Sequence, residues 1–315
     1  MAEPGKTDSM AESKIDNKTD GKPITAKVTV AVLAARKGAW SEGTAKSVNT
    51  GADTSAGTGV ALRSSERTVV VTAYDVMFAR LADEAGVDAI LVGDSLGMVI
   101  QGHASTLPVT LDDIVYHTRA VARGVRHAHV VADMPFMSYQ ASVEDGLRAA
   151  GRLIKEGGAE SVKIEGGVHA AELIARLTRV GIPVMGHVGM TPQSVHAFGG
   201  FKVQGRTSAQ RARILSDARA VADAGAYAMV IESVPRALAA EITATVSPLT
   251  IGIGAGDACD GQVLVMHDLL GLDPSWKPRF ARRYAELGDA ARRAFAAYAA
   301  DVRAGRFPAV DESFE

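Results

Sequence analysis

From Thr68 onward the chain alternates short β-branched and apolar runs with longer Ala-, Leu- and Arg-rich stretches whose apolar positions recur at helical spacing. The apolar runs fall at 68–73, 88–93, 128–132, 161–165, 183–187, 227–232, 249–253 and 262–266. Helix-length stretches at 111–124, 142–156, 169–180, 207–224 and 235–245 separate most of them, and 279–303 follows the last. Eight such units predict an α/β fold, a (β/α)8 TIM barrel, occupying 67–315 as one domain. A doubly wound open sheet is the structural alternative, but it does not need eight repeats and usually carries a glycine fingerprint in its first strand-to-helix turn. Here that turn reads Thr72-Ala-Tyr-Asp75.

The region before the barrel lacks this pattern. Residues 1–23 are rich in Lys, Asp, Ser and Thr with almost nothing to bury, which predicts a disordered tail. Residues 24–38 carry enough Val and Ala for a short N-terminal helix ended by Gly38, or for a strand. Residues 39–66 have the Ser, Gly, Thr and Ala composition of a flexible insertion.

Composition narrows the class of function. The 315 residues are 47% hydrophobic and 22% charged, with 34 Lys and Arg against 36 Asp and Glu, so no global field draws in nucleic acid or anionic lipid. Aromatic residues make up 5%, too few for a base-stacking platform. A single cysteine, Cys259, excludes an internal disulfide framework and a multi-cysteine metal site. The N-terminus has no apolar secretory core, no Arg precedes Arg36, and no stretch approaches the ~20 apolar residues that cross a bilayer. These features predict a cytoplasmic protein that binds neither membrane nor nucleic acid.

Candidate chemistry lies at the strand ends. Five consecutive runs close on an ionisable residue: Asp94, Asp133, Glu165, His187 and Glu232. In a barrel all strands point one way, so these side chains would meet at the C-terminal mouth. One carboxylate after a strand is ordinarily a turn or N-cap residue, and five in succession weaken that reading. Lys163 and Glu165 are two apart on one strand and so share a face. Lys163 could be a structural partner of the carboxylates or the receptor for an anionic substrate. Asp94, Asp133 and Glu165, with only His187 as a nitrogen donor, make a hard oxygen-rich set that suits magnesium better than zinc. Gly252-Ile-Gly-Ala-Gly256 follows a strand and could cradle a phosphate or simply turn the chain. Ser95 has no evident His partner for a nucleophilic triad, and the lone histidines read as packing or surface residues.

Several segments then resemble one family. They are Val71-Thr-Ala-Tyr-Asp75, Leu91-Val-Gly-Asp-Ser-Leu-Gly97, Gln101-Gly-His-Ala-Ser-Thr-Leu-Pro-Val-Thr110, Ala132-Asp-Met-Pro-Phe-Met137 and Val162-Lys-Ile-Glu-Gly-Gly167. Further along stand Gly186-His187, Thr191-Pro-Gln-Ser-Val195, Phe198-Gly-Gly-Phe-Lys-Val-Gln-Gly205, Gly252-Ile-Gly-Ala-Gly256 and Asp260-Gly-Gln-Val-Leu-Val265. In this order, from Thr68 to Phe314, they resemble the ketopantoate hydroxymethyltransferase (3-methyl-2-oxobutanoate hydroxymethyltransferase) family.

The resemblance implies a barrel enzyme of pantothenate and coenzyme A synthesis. It would make ketopantoate from α-ketoisovalerate and methylenetetrahydrofolate through a magnesium-stabilised enolate. Carried over by position, Asp94 and Asp133 are implied metal ligands, with Glu165 a third ligand or one acting through water. Asp94, Ser95, Asp133 and Lys163 are implied to hold the keto acid, Glu232 to be the general base and His187 to support the site. The family also implies a homo-oligomer, often a decamer of two pentamers. His196 stands where the family commonly has Asn, and the 1–23 tail and the 39–66 segment are additions. Two rivals are a phosphoenolpyruvate mutase or isocitrate lyase type of 2-oxo acid lyase, which usually carries a loop cysteine, and a catalytically silent barrel serving as an assembly module.

Overall fold

The computed structural model describes residues 26–38 and 66–314. The expected tail at 1–23, and the 39–66 insertion apart from Glu66, lie outside the described residues. Eight parallel strands form a closed barrel in sequence order. They are β1 (Thr68–Thr72), β2 (Ala89–Val92), β3 (His129–Asp133), β4 (Ser161–Glu165), β5 (Val184–Gly189), β6 (Ala228–Glu232), β7 (Leu249–Ile253) and β8 (Gly261–Leu264). Apolar runs with β-branched residues, such as Leu249-Thr-Ile-Gly-Ile253, suit a wall buried on both faces.

The helices are α1 (Val30–Ala34), α2 (Val76–Glu84), α3 (Leu96–Val99), α4 (Leu111–Gly124), α5 (Val143–Arg152), α6 (Ala171–Arg179), α7 (Val195–Phe198), α8 (Ser208–Asp223), α9 (Arg236–Thr245), α10 (Met266–Leu270) and α11 (Leu287–Arg303). Their starts are written locally. The Asp75 carboxylate accepts from Met77 and Phe78 N–H at the head of α2, and Ser142 accepts from Asp145 N–H at α5. Thr110 with Asp113, and Thr207 with Gln210, close capping boxes on α4 and α8. The predicted helix at 142–156 ends in a π turn over Leu153–Gly157, and the one at 279–303 begins only at Leu287. Among the described residues no helix separates β7 from β8.

Residues 24 and 25 lie outside the described residues; within 26–38 the helix-or-strand ambiguity resolves as the short helix α1 with flanking coil. It plugs the end of the barrel where the strands begin. Leu33, 1% exposed, packs with Val70, Leu91, Val131, Met185, Leu249 and Val263. Three cations fasten the segment: Lys27 Nζ lies 2.9 Å from Glu160, Arg36 2.7 Å from Asp88 and Lys37 3.0 Å from Asp260. A second cluster, including Ile164, Leu173, Ile174, Leu177, Ile214 and Leu238, fills the layer between strands and helices.

His129 sits inside this closed end, 2% exposed, with Nε2 2.9 Å from the Ser161 hydroxyl, which is 3.0 Å from the Tyr227 hydroxyl. Burial lowers its pKa to about 4, against the raising effect of Glu160. The unfolded chain therefore takes up this proton first as pH falls, so the contribution to stability is complete above about pH 6.5 and is lost toward pH 4. The loss should reach about 2.5 kcal/mol near pH 4.5. Urea unfolding at pH 7 and near pH 4.5 measures it: the wild-type loss should exceed that of His129→Gln by about this amount. Equal losses would remove His129 as the cause.

Candidate active site

Parallel closure brings the predicted strand ends together. Asp133 pairs in register with Lys163, Glu165 with His187, and Gly189 with Glu232, so neighbouring strands present these residues at matching heights. Asp94 follows β2 by two residues, and its backbone N–H donates to Asp133 Oδ2 at 2.9 Å. Lys163 Nζ lies 2.6 Å from Asp133 Oδ1 and 3.2 Å from His187 Nδ1. His187 Nδ1 is 3.5 Å from Glu165 Oε1, and its Nε2 is 3.3 Å from Glu232 Oε2. The structure thus brings Asp94, Asp133, Lys163, Glu165, His187 and Glu232 into one cluster. Ser95 joins it at the rim of β2, its Oγ 2.9 Å from the Tyr74 hydroxyl.

Burial sets the electrostatics. Asp94, Asp133, Lys163, Glu165 and His187 are all nearly inaccessible, whereas the Glu232 side chain keeps 18% of its exposure. Burial, then repulsion from Asp133 and Glu165, raises the Asp94 pKa well above its usual value. Asp133 is raised by burial in spite of Lys163. Glu165 is lowered, because His187, Lys163 and the Gln193 N–H together outweigh its burial. Burial and Lys163 oppose charge on His187, but Glu165 and Glu232 prevail and push its pKa up to about 9. The Lys163 contact suits a neutral ring accepting at Nδ1; two flanking carboxylates against one ammonium favour the imidazolium. Lys163 is itself held above its usual range by the three acids, against burial. His187 and Lys163 are thus both held toward their charged forms, and Glu232 is the acid at the open edge.

The donor set fits a hard divalent cation. Asp94, Asp133 and Glu165 are buried together, repulsion adds to burial in raising Asp94, and Glu165 Oε1, 3.5 Å from His187 Nδ1, makes no hydrogen bond. Among the described residues no three Asp, Glu, His or Cys side chains form a ready metal cage.

Three polar residues that the sequence reading did not single out complete the site. Tyr74 carries the hydroxyl beside Ser95, while Gln193 and Tyr139 knit the loops together. Gln193 belongs to the Thr191-Pro-Gln-Ser-Val195 segment, but nothing in its spacing signals an inward side chain. Gly189 serves by what it lacks: at φ +99°, a Cβ there would run into the Glu232 carbonyl oxygen and Val234.

The other candidates lie outside the cluster. Gly254 and Gly256 take positive φ and pack against Phe280 and Arg236, with Gln262 Nε2 donating to the Gly256 carbonyl at 3.0 Å, the arrangement of a close-packed turn. Cys259 is fully buried against Thr243, Thr250 and Asp260, so it does not supply the loop cysteine of the lyase reading. His196 is exposed on α7.

Comparison with known proteins gives the cluster a context. A model of the family "Ketopantoate hydroxymethyltransferase" matches residues 60–310. The 3-methyl-2-oxobutanoate hydroxymethyltransferase of Pelobacter propionicus is 56% identical over 248 residues, covering 79% of this chain and 92% of that protein. Its namesake from Carboxydothermus hydrogenoformans is 53% identical over 251 residues, covering 80% and 91%. Among solved structures, phosphonopyruvate hydrolase superposes with a TM-score of 0.53 at 14% identity, over 79% of this chain and 87% of that one. A 2,3-dimethylmalate lyase of the PEP mutase/isocitrate lyase superfamily gives 0.51 at 19% identity, over 79% and 87%. Those two likenesses concern the barrel alone. The family match over most of the sequence, and relatives more than half identical over nearly their whole length, show that the chain belongs to the ketopantoate hydroxymethyltransferase family.

Proposed function

We propose that this chain transfers a hydroxymethyl group from methylenetetrahydrofolate to α-ketoisovalerate (3-methyl-2-oxobutanoate), giving ketopantoate for pantothenate synthesis. The observation that carries the reading is a dry cluster of acids and cations with one carboxylate, Glu232, at its open edge. Lys163 and the Ser95 hydroxyl receive the carboxylate end of the keto acid. Asp94 and Asp133 would hold magnesium, with Glu165 reaching it through water. When bound, magnesium withdraws charge from the keto acid's oxygens and makes the neighbouring C–H acidic. Glu232 takes that proton from C3, leaving the enolate. His187, charged between Glu165 and Glu232, fixes the direction of the Glu232 carboxylate. Water adds to the folate's one-carbon unit and its carbon–nitrogen bonds break, releasing tetrahydrofolate and a carbon at the formaldehyde level; the enolate carbon bonds to that carbon, whose oxygen takes up a proton and becomes the hydroxyl. Walls that exclude water strengthen each of these polar contacts.

The same reading has the enzyme work in the cytoplasm as a homo-oligomer. No helix among the described residues is long and apolar enough to cross a membrane. Helix α11 buries none of its residues and exposes Phe295 and Tyr298, as a face awaiting another subunit would.

Proton NMR of α-ketoisovalerate in deuterated buffer, without folate, tests the first step. The C3 proton signal should disappear with magnesium and persist with chelator. Absence of exchange with magnesium, both without and with tetrahydrofolate, would overturn the reading.

A further inference from the structure

We propose that Gln193 is a positioning residue for the divalent cation: its side chain holds Asp94, and its backbone N–H holds Glu165, in the orientations from which these acids act. The proposal rests on the cation reading of Asp94 and Asp133. Gln193 lies in the single 3-10 turn Pro192–Ser194 after β5, yet its side chain turns into the barrel mouth and is 7% exposed. Its Nε2 donates to Asp94 Oδ2 and to the Met134 carbonyl, both at 2.9 Å. Its Oε1 lies 2.8 Å from the Tyr139 hydroxyl and accepts from Gln140 Nε2 at 2.9 Å. Its backbone N–H donates to Glu165 Oε2 at 2.9 Å.

Both amide hydrogens face acceptors and both lone pairs face donors, so the amide has one orientation that satisfies all its partners. The Tyr139 hydroxyl extends this bracing. It accepts from Glu165 N–H at 3.2 Å, and its single proton is shared between Gln193 Oε1 and the Glu165 carbonyl. Gln193 thus ties the loops after β2 and β3 through its side chain, and the end of β4 through its backbone N–H, to its own place after β5. For Asp94 one oxygen is engaged by the amide. For Glu165 Oε2 is engaged by the backbone, while Oε1 makes no hydrogen bond and faces only the His187 ring at 3.5 Å. Partners of this kind decide which oxygen a carboxylate offers, and losing them typically weakens metal affinity about 10- to 100-fold.

The test is Mn2+ binding to the full chain, read from the electron paramagnetic resonance of free Mn2+, with the melting temperature alongside. Gln193→Met keeps the length of the side chain and removes its donors and acceptor. Its Mn2+ Kd should rise at least about tenfold. Tyr139→Phe removes one oxygen with little change in packing and should raise the Kd about threefold or more. A purely structural bridge would lower the melting temperature and leave the Mn2+ affinity of the folded chain unchanged, and that result overturns the proposal. Where Gln193→Met does not fold, Tyr139→Phe decides by the same criterion. Failure of the wild-type chain to bind Mn2+ saturably would instead overturn the cation reading, and this proposal with it.

Discussion

Glu232→Gln should lower the rate at which α-ketoisovalerate exchanges its C3 proton by about 10²- to 10⁴-fold, the usual worth of a positioned general base. The other groups of the cluster cannot replace it. Lys163 and His187 are held in their charged forms, and a protonated nitrogen has no lone pair with which to take the proton. Asp94 and Asp133 are buried, and Asp133 is already engaged by the Asp94 N–H and by Lys163. Gln keeps the shape of the side chain and an oxygen toward His187 Nε2, so the keto acid should bind with an affinity within about threefold of wild type. Deuterium exchange followed by NMR, with isothermal titration of the keto acid, separates these quantities. Exchange within about threefold of wild type would remove Glu232 from the role of base.

What the sequence made legible was the framework and the charges. Eight strands were readable because the parallel barrel needs β-branched runs buried on both faces, and those runs differ sharply from the Ala- and Arg-rich helices between them. Asp94, Asp133, Glu165, His187 and Glu232 were readable because strand direction alone carries them to one mouth. The short helices α3, α7 and α10, of four or five residues, left no periodicity to detect. Gln193 and Tyr139 escaped for a related reason. A polar residue in a loop ordinarily faces water, and only the path of the chain after β5 turns Gln193 inward. At 24–38 valines were consistent with either state. The choice of helix is tertiary, made by the apolar floor that receives Leu33 and by the acids that receive Lys27, Arg36 and Lys37.

Lys163→Met should impair both stability and recognition, and the two effects have separate signatures. Met has nearly the volume of the lysine stem, so the change chiefly deletes a charge. Lys163 is 4% exposed and its ammonium lies 2.6 Å from Asp133, within a cluster that also holds Asp94 and Glu165. Breaking one side of a buried pair leaves the other charge uncompensated, at a cost of about 3–5 kcal/mol. The melting temperature should therefore fall in the absence of divalent cation. Magnesium should restore more of it in the variant than it adds to wild type, because the ion then supplies positive charge that the ammonium no longer provides. Recognition should not recover in step. Loss of the ammonium proposed to receive the keto acid's carboxylate should weaken α-ketoisovalerate binding about 30-fold or more, by the roughly 2–5 kcal/mol that a buried charged partner contributes. Calorimetry with and without magnesium, followed by titration of the keto acid at saturating magnesium, reads the two effects independently. A variant that melts lower yet binds the keto acid as wild type does would confine Lys163 to neutralising Asp133, with the carboxylate end received elsewhere.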